Sequence, residues 1–125
     1  MRNDIRNQLS DVQVVTTTAV STNSIEKKTA GQDLGIGTHP QMGLVLAPTI
    51  DAVGGGSFTV ELIEATDGAL TAGVTSLASV TLTAAQLLKG KAFFLALTPY
   101  KMTKKFFGAR YTAVGGSSPS LTVDA

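Results

Sequence analysis

The chain has 125 residues, a formal net charge of +1 and no cysteine. This length suits one domain with a modest hydrophobic core, and the lack of cysteine excludes disulfide bonds and thiolate chemistry. Charged residues make up 15% of the chain, well below the roughly 25% of ordinary globular domains, and no apolar stretch approaches the ~18 residues that span a bilayer.

Residues 1–10 are polar and predict an N-terminal arm, followed by a single domain at residues 11–125. Ile5 and Leu9 are spaced for one helical turn, but so short a segment cannot hold a helix without packing. The arm is either a loose terminus or a segment that becomes ordered against a partner. It lacks the apolar region of a signal peptide, so we expect a soluble protein synthesised in the cytoplasm.

Runs rich in valine and threonine, and runs of alternating apolar residues, predict a series of short β-strands. Phe58, Val60 and Leu62 alternate with polar residues, which places them on the core side of one strand. Pro48 is expected to end the strand before it. The first predicted strand begins at residue 11, breaks at 21–24 and resumes over 25–29. The other predicted strands cover residues 43–47, 58–62, 74–82, 92–97, 106–114 and 121–123.

A capping box predicts one short helical turn from Ala84 to Lys89. Thr83 caps this turn, and Gln86, three residues later, reaches back to the Thr83 amide. Gly90 is a suitable C-terminal stop.

The stretch 91–114 contains four of the five phenylalanines and both tyrosines. Its two apolar runs, 92–97 and 106–114, predict two neighbouring strands at the centre of the domain, the first buried on both faces. In the second run, alternation places Phe107, Ala109 and Tyr111 on one face. Short strands joined by glycine- and proline-rich turns predict an all-β fold, an antiparallel β-sandwich of jelly-roll or Greek-key type.

Few polar groups suggest catalysis. His39 is the only histidine, in a glycine-rich loop, and no serine in an elbow motif accompanies it. Glu61 and Glu64 point to opposite faces of a strand, so they cannot flank one bond as a glycosidase pair does, and both are expected to be surface charges. We therefore expect no enzymatic activity, no cofactor and no metal site.

Charge is distributed unevenly along the chain. Residues 1–67 carry four basic and eight acidic side chains, a net charge of −4, and residues 68–125 carry six basic and one acidic, a net charge of +5. Such polarity can steer docking but is too weak to indicate nucleic-acid binding. Lys101, Lys104 and Lys105 form either a solvated turn or an electrostatic contact to an acidic partner.

Five short segments of the chain form a recognisable series. They are Ser10 to Val15, Ser21 to Ile25, Leu97 to Pro99, Arg110 to Gly116, and Leu121 to Ala125. The first two are a Ser-Asp-x-Gln opening and a Ser-Thr-Asn turn. The next two are a Leu-Thr-Pro segment and, after basic residues, the end of an aromatic strand, and the last is the closing strand. Together these segments resemble a family of tailed-bacteriophage capsid cement proteins.

The resemblance implies a jelly-roll domain on the outer surface of an assembled phage head, where it ties neighbouring major capsid subunits together. It also implies a homo-oligomer that forms across symmetry axes, with dimer and trimer both left open. From charge and hydropathy we expect no nucleic-acid or membrane partner. The alternative is a carbohydrate- or host-binding β-sandwich on the virion surface. The N-terminal arm, the 30–41 loop and the 101–105 turn are the expected contact segments. The predicted contact residues are Arg2, Ile5, Arg6, Leu9, His39, Lys101, Lys104 and Lys105.

Overall fold

Two antiparallel sheets form the protein in the computed structural model, which describes residues 8–26, 43–96 and 104–125. The four-stranded sheet has the order β1-β9-β4-β7, and the five-stranded sheet has the order β2-β8-β5-β6, with β3 also paired to β8. The strands are β1 (Gln13–Val15), β2 (Thr18–Val20), β3 (Ile25–Glu26), β4 (Gly43–Val53), β5 (Ser57–Ala65), β6 (Thr75–Thr83), β7 (Phe93–Ala96), β8 (Phe106–Val114) and β9 (Ser120–Asp124).

The pairing of the strands is nested in the order of the chain. Strand β5 pairs with β6, β4 with β7, β2 and β3 with β8, and β1 with β9, all antiparallel. The chain therefore behaves as one long hairpin folded over on itself, and the further pairs β4–β9 and β5–β8 close the two sheets. This is the jelly-roll arrangement, and it confirms the predicted all-β sandwich.

The core lies between the two sheets and is built from alternating strand residues. Phe58, Val60 and Leu62 are buried on the inner face of β5, as their alternation predicts, and Phe107, Ala109 and Tyr111 are buried on β8. The inner side of β9 contributes Leu121 and Val123. The main core cluster comprises Leu9, Val15, Leu44, Leu46, Phe58, Val60, Leu62, Leu77, Leu82, Ala84, Leu87, Phe107, Ala109, Tyr111, Leu121 and Val123.

The predicted pairing of runs 92–97 and 106–114 is wrong. Strand β7 pairs with β4 at the edge of the four-stranded sheet, and β8 lies inside the other sheet. Phe94 is 63% exposed, so β7 is not buried on both faces. An apolar run shows that a strand contacts the core but does not identify its neighbour, because the neighbour depends on how the long hairpin folds over.

Pro48 does not end its strand. Strand β4 runs on to Val53, and its pairing with β9 shifts register between Pro48 and Ile50 and again between Ile50 and Val53. Proline cannot donate a ladder hydrogen bond, and such residues are tolerated where a bulge interrupts the ladder. The strand therefore accommodates Pro48 next to an irregularity.

The first predicted strand is divided into three. The expected break at residues 21–24 is present, and a second break at residues 16–17 separates β1 from β2. At this second break the chain passes from the four-stranded to the five-stranded sheet. The valines and threonines of this stretch thus serve both sheets.

The capping box forms, but only as a hydrogen-bonded turn. The Thr83 amide donates to Gln86 Oε1 over 2.9 Å, and the Leu87 amide donates to the Thr83 carbonyl over 3.2 Å. The Lys89 amide instead donates to the carboxylate of Asp51 over 2.7 Å, so the turn does not extend into a helix. None of the described residues forms a helix long and apolar enough to cross a membrane.

Candidate interaction surfaces

The outer face of the four-stranded sheet presents apolar side chains to solvent. Val14 on β1 and Ile50 on β4 both lie opposite Thr122 of β9, so the three side chains form one row across the sheet. Val14 and Ile50 are each 58% exposed. The solvated face of an antiparallel sheet ordinarily carries polar side chains. At Val14 and Ile50 this face carries apolar side chains instead.

The same face continues towards both ends of the sheet. Val53 lies opposite Ser120 and is 56% exposed, and Phe94 lies opposite Val45 at the β7 edge. We call Val14, Val45, Ile50, Val53 and Phe94 the apolar face. Four of these side chains are exposed, and Val45 is half-buried.

Two carboxylates lie beside the apolar face, and both are engaged by the backbone. The backbone amide of Lys89 donates a hydrogen bond to the Asp51 carboxylate, and that of Val12 donates one to the Asp124 carboxylate, each over 2.7 Å. Hydrogen bonds from backbone amides hold these carboxylates in place. Asp124 lies opposite Ala47, between the row of Val45 and Phe94 and the row of Ile50 and Thr122, and Asp51 follows Ile50 on β4.

The outer face of the five-stranded sheet is different, because it is lined by hydroxyl groups. One row crosses four strands in the order Thr18, Thr112, Thr59 and Thr81. The hydroxyls of Thr59 and Thr81 lie 3.1 Å apart and share a hydrogen bond. The two sheets thus offer chemically distinct surfaces.

An ion pair stands in the next row of the hydroxyl-lined face. Arg110 Nε donates to Glu61 Oε2 over 2.6 Å, and the two residues face each other on β8 and β5. The hydrogen bond from Arg110 is the main reason that the pKa of Glu61 is lowered, against an opposing effect of burial. Both charges are compensated within the sheet.

Glu64 is buried, so the prediction that both glutamates are surface charges is wrong for this residue. It lies opposite Phe107 on the inner side of β5 and is 2% exposed. Its carboxylate accepts the Lys104 amide over 3.1 Å. Glu61 faces outwards, so the expectation that the two point to opposite faces is confirmed.

Two lysines of the predicted basic turn make contacts within the chain. Lys104 directs its ammonium group at the Gly73 carbonyl and the Thr75 hydroxyl. Lys105 pairs with Glu26 over 2.7 Å, and its side chain keeps 43% exposure. Both residues are half-buried, and their role as partner contacts stays a prediction.

The remaining predicted contact residues are divided between the core and undescribed segments. Leu9 is 3% exposed, and its amide donates to the Ala125 carbonyl over 2.7 Å. Because the domain itself covers this side chain, we leave it out of the proposed contact surface. The predicted contacts that lie outside the described residues are Arg2, Ile5, Arg6, His39 and Lys101.

A buried polar network explains the Ser-Asp-x-Gln stretch. The Ser10 hydroxyl lies 2.8 Å from the Tyr111 hydroxyl and donates to Gln13 Oε1 over 2.7 Å. Gln13 in turn donates to the Val20 carbonyl over 2.7 Å and accepts the Thr22 amide over 3.1 Å. These bonds tie the start of the domain to β8 and to the turn after β2.

The Ser-Thr-Asn turn completes the same connection. The Ser21 hydroxyl donates to the Asn23 carbonyl over 2.7 Å and accepts the Ala109 amide over 3.1 Å. The Asn23 amide donates to the Leu9 carbonyl over 2.8 Å. Both stretches that carry the family resemblance at the N-terminal end are therefore structural, since their polar groups hydrogen-bond to one another and to β8.

Tyr111 gives the protein a predicted sensitivity to alkali. Burial raises the pKa of its hydroxyl to about 12, although the hydrogen bond with Ser10 acts in the opposite direction. An unfolded tyrosine ionises near pH 10. Between about pH 10 and 12 only the unfolded state loses this proton, so stability falls as pH rises, by about 2 kcal/mol.

Chemical denaturation of wild type and Tyr111→Phe at a series of pH values measures this effect. Both proteins carry the same lysines, so the difference between their pH profiles isolates Tyr111. We expect the wild type to lose its stability advantage over Tyr111→Phe across that window. Parallel profiles from pH 9 to 12 would contradict the assignment.

Within the described ranges, no group of three or more histidine, cysteine, aspartate or glutamate side chains could hold a metal ion.

The apolar face could not be predicted from the sequence. Outward-facing Val14 and Ile50 look like ordinary strand residues until the register shows which side of the sheet they occupy. An apolar residue can be recognised as outward-facing only when the pairing of its strand is known.

The protein is thus a small all-β domain, a jelly-roll sandwich with one apolar and one hydroxyl-lined outer face. The model of the Bbp16 family matches residues 9–125. The chain therefore belongs to the Bbp16 family, whose name is associated with bacteriophages. No curated protein matched the chain.

Proposed function

We propose that this protein is a capsid cement, or decoration, protein. It binds the outer surface of an assembled phage head and bridges neighbouring major capsid subunits. It acts by binding and not by catalysis, and it is synthesised in the host cytoplasm before it joins the virion. The observation that carries the proposal is the apolar face on a sandwich of a phage-associated family.

The composition of the apolar face supports a protein partner. Its side chains are aliphatic or aromatic, and the two neighbouring carboxylates are already bonded to backbone amides. Burying such a face against a shell subunit removes apolar area from water at about 25 cal/mol per Å² and desolvates few charges. A nucleic acid or an anionic membrane would instead select for exposed basic side chains.

Bridging provides the stabilising mechanism. Each copy that contacts two shell subunits adds weak contacts whose effects combine, because the second contact forms at high effective concentration. A protein that binds only the assembled shell shifts the equilibrium towards that shell. Self-association into a dimer or trimer multiplies the bridges.

Co-sedimentation with heads that lack this protein tests the proposal. Wild type is expected to bind the heads and to raise the temperature at which they break. Ile50→Asp places a charge in the centre of the apolar face and should weaken binding by at least tenfold, which corresponds to about 1.4 kcal/mol.

Val114→Asp is the matched control, because Val114 is 49% exposed at the end of β8 in the other sheet. It should bind as wild type does. Failure of the wild-type protein to bind heads would overturn the proposed function. Equal binding by both variants would instead exclude the apolar face as the contact.

One observation favours the alternative, a carbohydrate- or host-binding module on the virion surface. Phe94 presents an exposed aromatic ring, and sugar-binding sites stack rings of this kind against their ligands. Saturable glycan binding that is lost in Phe94→Ala, without binding to heads, would establish the alternative.

A further inference from the structure

Among the described strands, β6 is the one long strand at the end of a sheet, and the other end strands are short. Strands β1, β2, β3 and β7 at the other edges have three, three, two and four residues. Strand β6, at the end of the five-stranded sheet, has nine. Short edge strands are a common protection against unwanted pairing, and β6 lacks it.

Strand β6 also lacks the other usual protection, which is charge. Residues 68–88 contain no charged side chain and no proline, although lysine and proline are what natural proteins place on exposed edges. One bulge is present at Leu77, because Ala78 pairs with Leu62 of β5 and Ser76 pairs with the next residue, Ile63. The regular part of the edge is therefore residues 78–83.

The hydrogen bonds show which groups point towards this free edge. The Ala84 amide donates to the Gly56 carbonyl, and in an antiparallel ladder the bonded positions alternate. Leu82 and Val80 therefore face β5, and the backbone groups of Ser79, Thr81 and Thr83 face outwards. The Thr83 amide is already bonded to Gln86. In the part of the chain that the structure describes, this leaves the outward backbone groups of Ser79 and Thr81 without a hydrogen-bond partner.

We propose that β6 pairs antiparallel with β6 of a second copy of this chain. The register that uses both outward residues places Ser79 of one copy opposite Thr81 of the other, with Val80 on the twofold axis. This pairing joins two five-stranded sheets into one continuous sheet. The proposed function includes self-association, and the β6 pairing specifies its interface. The inference rests on self-association and does not depend on binding to heads.

A second copy suits this edge better than a different partner does. Like charges directly opposite each other destabilise a strand pair, and an uncharged edge avoids this penalty when it meets itself. Ser79, Val80 and Thr81 are small or β-branched, which favours close pairing on both sides of the twofold axis. A charged partner segment would find no complementary charge on residues 68–88.

Two threonines provide a matched pair of variants. Thr81 and Thr18 occupy opposite ends of the same threonine row, both on edge strands and both exposed. The Ala113 amide donates to the Thr17 carbonyl, so by the same alternation the Thr18 amide points outwards from β2. Proline at either position removes an outward donor and leaves the internal ladder intact.

Sedimentation velocity of the isolated full chain tests the proposal. Wild type and Thr18→Pro are expected to form dimers with equal dissociation constants, and Thr81→Pro to raise that constant at least tenfold. A monomeric wild type at all concentrations overturns the inference, as does a Thr81→Pro dimer of unchanged affinity. Because the test uses no heads, its result is separate from that of the head-binding experiment.

Amide hydrogen exchange on wild type keeps the test valid if Thr81→Pro fails to fold. In the dimer the amides of Ser79 and Thr81 are expected to be as protected as those of Val80 and Leu82, and to lose that protection on dilution to monomer. Fast exchange at Ser79 and Thr81 in the dimer would overturn the inference.

Discussion

Phe58→Ala is expected to lower the free energy of unfolding by about 4 kcal/mol, the usual cost of removing a buried phenylalanine. The ring is fully buried on β5 in the main core cluster. Its loss removes apolar contact and leaves a cavity that two close-packed sheets cannot collapse to fill. Urea denaturation measures the change as a lower midpoint with an unchanged slope.

Phe94→Ala is the matched control for this prediction, since both residues are phenylalanines on strands. Phe94 is 63% exposed, so its removal should change stability by no more than about 0.5 kcal/mol. Under the proposed function the same variant weakens binding to heads. A loss of several kcal/mol in Phe94→Ala would mean that its ring is packed within the domain.

Gly54→Ala is expected to cost about 3 kcal/mol, from backbone strain together with steric overlap. Gly54 has a φ of +88°, and a Cβ there would lie 2.6 Å from the Cα of Pro119 and 2.6 Å from the Ser118 carbonyl oxygen. Neither neighbour is a flexible side chain, so the backbone of the facing turn has to move. Thermal and chemical denaturation both detect the loss.

Gly55→Ala separates the two contributions. Gly55 also has a positive φ, +67°, but a Cβ there meets no atom within 4 Å. This variant keeps the backbone strain without the overlap and should cost about 1 kcal/mol. Equal losses in the two variants would show that the close approach of the turns is unimportant.

Gly54 also lies in one of two turns that connect the sheets and that contact each other. The Ser117 amide donates to the Gly54 carbonyl over 2.8 Å, which links the turn after β4 to the turn after β8. A loosened contact there should affect the neighbouring ends of both strands. We therefore expect Gly54→Ala to speed amide exchange at Val53 and Val114 before the core.

Much of the secondary structure is predictable from local pattern. Alternation at Phe58, Val60 and Leu62 identifies a core-facing strand because a strand repeats every two residues. Thr83 and Gln86 identify a capped turn because their bonds are local. The outcome at Lys89 was not predictable, since its amide bonds to Asp51, which is distant in sequence.

The candidate surfaces were less predictable than the fold. The basic turn attracts notice as a charge cluster, but Lys104 bonds to Gly73 and Lys105 to Glu26 within the chain. The apolar face is not recognisable in the sequence, because Ile50 and Phe94 are residue types that usually lie in a hydrophobic core. Exposure depends on which side of which sheet a residue occupies.

The amino-acid sequence by itself determined an all-β sandwich without disulfides, the inward faces of its central strands and the low charge of its surface. Those properties follow from composition and from a two-residue repeat, which act over short distances. Only the tertiary structure decided the partner of β7, the burial of Glu64 and the long uncharged edge of β6. Each of these depends on the folding over of one long hairpin, which brings together residues far apart in the chain.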